Sequence, residues 1–168
     1  MVHSRHADRQ RALALLYEAD MRGHTVTEVL ARGVDGDDPP APFSVALLEG
    51  IADRTPQLDA LIATYARGWS IERMPVVDRN LLRLGLWELM ASDVPVAVVI
   101  DEAVELANEL STPDSGRFIN GVLAAVARSE DDVAAVRADA GTSNGASAAN
   151  GASAPNGASA ANGDAASL

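Results

Sequence analysis

The chain has 168 residues, 48% of them hydrophobic and 4% aromatic, and a formal net charge of −11, which suits one domain with enough aliphatic side chain for a packed core. It has no cysteine, which excludes disulfides, thiolate catalysis and cysteine-based metal sites. No apolar run approaches a membrane span, and "MVHSRHADRQRALALLYEAD" lacks the unbroken apolar segment and cleavage site of a signal peptide, so the reading is a soluble, cytoplasmic protein.

The first predicted helix runs from about Ser4, a candidate N-cap, to Arg22, with Gly23 just past its end. Leu13, Leu16, Tyr17 and Met21 form its apolar stripe. A short helix over Thr27–Arg32 stops at Gly33, and "GVDGDDPPAP" follows as an acidic, proline-rich loop. Ser44 is placed as the cap of a segment carrying Val45, Leu48 and Ile51. Thr55-Pro56 reads either as a new start, with proline in the first turn, or as a kink in a helix continuing to about Arg67. Pro75 opens the most apolar helix, "PVVDRNLLRLGLWELMAS". Val77, Leu81 and Leu84 lie on one side of it and Leu82, Leu86 and Leu89 on the other, the pattern of a central, buried helix. Glu88 shares the Leu81 side, where an unpaired carboxylate is costly, so it is expected to meet an arginine or backbone donors from another helix. Asp93-Val94-Pro95 breaks the run. "PVAVVIDEAVELANEL" then places Val99, Ala103, Leu106 and Leu110 on one face and Asp101, Glu102, Glu105 and Glu109 on the other.

Thr112-Pro113 opens the last helix, "DSGRFINGVLAAVAR". Asn120-Gly121 is a strong turn dipeptide. Yet Phe118, Ile119, Val122, Leu123 and Val126 keep helical spacing across it, so a helix is predicted. A glycine there costs about 1 kcal/mol relative to alanine, which suggests a local use. Beside Arg117 and Phe118, its bare backbone could leave a surface on which an unpaired base stacks. The alternative, which the helical wheel alone favours, is that Phe118 is a core residue and Gly121 admits a neighbouring helix. Beyond it, Asn-Gly-Ala-Ser-Ala recurs from Asn144, Asn150 and Asn156 with a period of six. Too little apolar surface is present there to offset ordering entropy. The division is therefore a helical domain over 1–140 and a disordered low-complexity tail over 141–168.

Charge and chemistry narrow the function. Phosphate contacts dominate nucleic-acid affinity, so a net negative chain is an unexpected RNA binder, but the charge is uneven. All 13 basic residues are arginines. Arg5, Arg9 and Arg11 outweigh Asp8, and Arg67, Arg73, Arg79 and Arg83 outweigh Glu72 and Asp78. Between Asp93 and Asp114 there is no arginine at all. No phosphate-binding glycine loop, paired histidine motif or calcium loop is present, and no catalytic constellation, metal ligand set or cofactor site is assigned.

"RLGLWEL", "VPVAVVIDEAVELANEL" and "DSGRFINGVLAAV", with "RQRALALLYEAD" in the first helix, resemble the NusB family of transcription antitermination factors over roughly residues 4–128. The resemblance implies an all-α, seven-helix fold of two helical subdomains and a non-enzymatic role. It implies binding of the boxA element of ribosomal RNA together with NusE, also a ribosomal protein, and action on the RNA polymerase elongation complex. Arg5 and Arg9 match the family's basic N-terminal motif, from which His6, Ala7 and Asp8 depart. Asp114, Arg117 and Phe118 match positions near RNA, which turns the reading of Phe118 toward stacking. Tyr17, Glu72 and Asp78 match positions near NusE. The alternatives are the NusB-like domain of a ribosomal RNA methyltransferase and a homodimer that masks the RNA surface.

Overall fold

The computed structural model describes residues 4–129 and Ala134; the repeat segment over 141–168 lies outside the described residues. Six α-helices and one 3-10 turn make up the described part, with no strand among them: α1 Arg5–Arg22, α2 Val26–Val34, α3 Pro42–Tyr65, the turn Ile71–Arg73, α4 Val76–Ala91, α5 Val96–Leu110 and α6 Ser115–Ala127. No helix there is long and apolar enough to cross a membrane.

Local chemistry sets the ends. The Ser4 hydroxyl accepts from the Ala7 amide at 3.2 Å, and Gly23 closes α1 in left-handed backbone. α2 begins earlier than its spacing suggested, because Thr25 and Glu28 form a reciprocal capping box at 2.8 and 3.2 Å. It also runs through Gly33 to Val34.

Two expectations for α3 are corrected or resolved. Ser44 is not a cap: the helix starts at Pro42, and Ser44 is buried, donating its hydroxyl to the Asp8 carbonyl of α1 at 2.8 Å. Pro56 lies inside the continuous helix rather than at a new start. Its ring is exposed, so water can take the Ala52 carbonyl that proline leaves without an amide partner.

α1, α2 and α3 pack on one another, as do α4, α5 and α6, and α4 joins the two groups by packing on α1, α3, α5 and α6. Its two-sided pattern is explained by that position: Leu81, Leu82, Leu84, Leu86 and Leu89 are all buried. At the α3–α4 crossing, a Cβ on Gly50 would collide with the Trp87 ring. Only a bare α-carbon lets the indole lie against the helix. Two stripes were partly misjudged. α1 buries Ala12, Leu13, Leu15, Leu16 and Ala19, while Tyr17 and Met21 face outward, as does Leu110 of α5.

Glu88 meets its expected arginine. Arg9 of α1 grips it through Nε and Nη2, both at 2.7 Å, with both side chains almost wholly buried. Burial opposes the charge on Arg9, but hydrogen bonding to Glu88 and the nearby charges of Glu88, Glu102 and Asp8 together hold the guanidinium pKa above its ordinary value. Arg83 is tied similarly to Asp59 at 2.7 and 2.9 Å, and Arg79 to Asp20 at 2.9 Å.

Candidate nucleic-acid interface

A cleft of about 680 Å³ opens where the end of α3, the following loop, the start of α4 and the α5–α6 corner converge. Its geometry starts from backbone. α3 stops at Tyr65, the chain reverses at Gly68 with φ +81°, and the Trp69 amide donates to the Ala66 carbonyl at 3.1 Å. A positive φ suits glycine best, so the turn throws Trp69 outward. Its ring is 53% exposed and meets Phe118 of α6 with centroids 5.9 Å apart at a 49° tilt. Phe118 is half-buried and packs against the core. Exposed Arg67 and Arg117 line the same cleft, with Asp114 beside them.

Gly121 borders the cleft, and a Cβ there would meet nothing within 4 Å. It therefore does not admit a neighbouring helix. Close helix packing falls instead on Gly85, where an added Cβ would lie 2.7 Å from Leu123.

Asp78 sits at the floor of the cleft and is 4% exposed. The Ser111 and Ser115 hydroxyls donate to its carboxylate at 2.5 and 2.9 Å. This corrects its expected place on a partner surface: it is a clasp that ties α4 to the α5–α6 corner, upstream of Phe118.

The N-terminal arginines divide. Arg5 is exposed, its guanidinium 5.2 Å from the Phe43 centroid. Arg9 lies 5.4 Å from the same ring but is 2% exposed and bound to Glu88. This corrects the expectation that Arg9 faces a phosphate, since its donors already serve a buried carboxylate. Arg5 borders a second groove with Phe43 and Glu102, and none of its lining residues is shared with the first cleft. Asp114, Arg117 and Phe118 are thus brought together, and Arg5 stands apart from them.

Of the residues expected near a protein partner, Tyr17 is 42% exposed next to Met21 at 58%, and Glu72 is exposed in the 3-10 turn. The Asp20–Arg79 pair ties that end of α1 to the start of α4. Among the described residues, one group has metal-ligand types at close range: His6 with Glu102 and Glu105, their ligand atoms within 4.8 Å of one another. His6 Nδ1 is already hydrogen-bonded to Glu102 at 3.0 Å.

Trp69, Tyr65 and Arg67 also line this candidate cleft, and the sequence did not single them out as site residues. The available signal was a tryptophan after glycine in a polar loop at a helix end, with an arginine two residues before it.

A family model described as "NusB family" matches residues 6–128. A transcription antitermination protein NusB from Salinispora tropica is 49% identical over 129 residues, covering 74% of this chain and 95% of that protein. One from Streptomyces griseus is 51% identical over 128 residues, covering 72% and 90%. Among solved structures, T. maritima NusB superposes with a TM-score of 0.68 at 32% identity, covering 76% of this chain and 93% of that one. A structure of antitermination factors NusB and NusE in complex with dsRNA gives 0.65 at 28% identity, covering 77% and 99%.

Proposed function

Since the chain belongs to the NusB family, we propose that it is a cytoplasmic, non-enzymatic antitermination factor. It binds boxA RNA together with NusE and acts on the elongating RNA polymerase. The observation that carries the RNA reading is the cleft: a half-exposed aromatic surface flanked by Arg67 and Arg117, whose charges are not committed to ion pairs among the described residues. Aromatic faces stack unpaired bases, and guanidinium groups hold the backbone between them. Phe118 stacks, Arg117 and Arg5 neutralise phosphate, and Asp114 accepts from an exocyclic amino group. Arg9 and Asp78 hold the helices that carry these groups. Tyr17, with Met21 beside it, and Glu72 offer the surface for NusE.

Relatives named as antitermination proteins are covered over 95% of their length. That favours this role over the RNA-binding domain of a ribosomal RNA methyltransferase. The test is a gel shift with boxA RNA, alone and with NusE. Weak binding alone is expected, because a net charge of −11 opposes phosphate, and NusE should tighten it. No shift with the mixture would refute the proposal.

A further inference from the structure

We propose that Trp69 is a second stacking platform, so that two successive unpaired bases of one RNA strand rest on Trp69 and Phe118. The inference rests on the RNA-binding reading above and extends it to a residue outside the motifs that led there. Three observations carry it. Trp69 is one of two tryptophans; the other, Trp87, packs partly buried against the core, whereas Trp69 leaves 53% of its surface in solvent. Its position is held by the left-handed turn at Gly68, the 3.1 Å amide bond to Ala66 and the tilted contact with Phe118. A ring held in place before RNA arrives loses little entropy on binding. Finally, Arg67 and Arg117 enter the same cleft, one from the chain segment of each ring, where they can follow the phosphates joining the two bases.

The spacing decides how the bases lie. Stacked bases rise roughly 3.4 Å each, so a base inserted between the rings would need centroids roughly twice that far apart. At 5.9 Å and 49° the gap is too narrow. The rings instead form two adjoining facets, each able to take one base on its open side.

The experiment titrates fluorescein-labelled single-stranded boxA RNA, in the presence of NusE, against wild type, Trp69→Ala, Trp69→Phe and Phe118→Ala. Trp69→Ala should weaken binding by about 5- to 150-fold, the range of base–aromatic stacking. Its salt slope should stay unchanged, because no phosphate contact is lost. Trp69→Phe should keep most of the affinity. Without NusE, unlabelled RNA should quench the tryptophan emission of wild type and leave that of Trp69→Phe, whose one remaining tryptophan is Trp87, unchanged. An abasic nucleotide at the position Trp69 serves should make Trp69→Ala cost nothing further. If Trp69→Ala binds like wild type while Phe118→Ala is weakened, the proposal fails and the RNA reading stands. If wild type does not bind RNA at all, that reading fails first. If Trp69→Ala loses NusE while its RNA affinity measured without NusE matches that of wild type, Trp69 is a protein contact and the proposal is overturned.

Discussion

Arg9→Ala separates an internal brace from an RNA contact. The change removes both 2.7 Å hydrogen bonds to Glu88 and leaves that carboxylate 1% exposed without its cation. Breaking a buried pair from one side costs about 3–5 kcal/mol, and the loss of the arginine stem over Phe43 adds packing to that. In a domain of this size the expected drop in Tm is on the order of 10 °C. Thermal and urea unfolding measure it. The double change Arg9→Met with Glu88→Leu should recover most of the loss, because apolar replacement of a buried pair is often neutral. The effect should hardly depend on pH near neutrality. Arg9 has a folded pKa raised above its ordinary value, so its contribution is fully present below that ordinary value. It fades only as pH rises through the higher folded one. A variant that melts within about 1 °C of wild type and lowers the RNA salt slope by about one would refute the reasoning and return Arg9 to the phosphate.

Phe118→Ala should cost less than the about 3–5 kcal/mol of a fully buried phenylalanine, since its ring is only half-buried; RNA affinity should fall by about 1–3 kcal/mol. Melting and titration of one preparation check both, and normal binding by a strongly destabilised protein would make Phe118 a core residue. Gly121→Leu should leave the fold intact or stabilise it by up to about 1 kcal/mol through helix propensity, because nothing stands within 4 Å of its Cβ position, while it blocks RNA approach; a lower Tm would contradict the open geometry. At the start of α2, hydrogen bonds from Thr25 hold the Glu28 carboxyl below its ordinary range, so the cap is complete above that range and is lost as pH falls through the depressed value. Amide exchange at Val26–Glu28 should rise in acid before the core opens, and uniform exchange across α1 and α2 would count against this.

Much of the fold was legible because helix periodicity survives local noise. The apolar face of α6 continued through Asn120-Gly121, and the two-sided pattern of α4 announced a central helix. Capping was less legible. Ser44 and Thr55-Pro56 carry the chemistry of helix starts, but Pro42 begins α3 two residues earlier, and Ser44 serves Asp8 on another helix. At the candidate site, the helical wheel singled out Arg117 and Phe118 beside Gly121, whereas Asp114 came only from the family resemblance. Arg9 was misjudged for the reason that Glu88 was read correctly. The sequence showed a carboxylate in need of a cation and a cation on a basic ridge, and only the packing of α1 on α4 joined them. Trp69 was missed because a loop has no periodicity to mark its outward side.

The crossing of α3 and α4 also limits how this chain can change over generations. Gly50 and Trp87 occupy a single volume, so the two positions behave as one heritable unit. A methyl group at position 50 is tolerable only in a background where the indole has already been replaced by something smaller. A glycine at 50 facing that smaller side chain leaves a void, which makes the intermediate less stable than a well-packed pair. Histories that change position 87 first are open, and those that change position 50 first are closed.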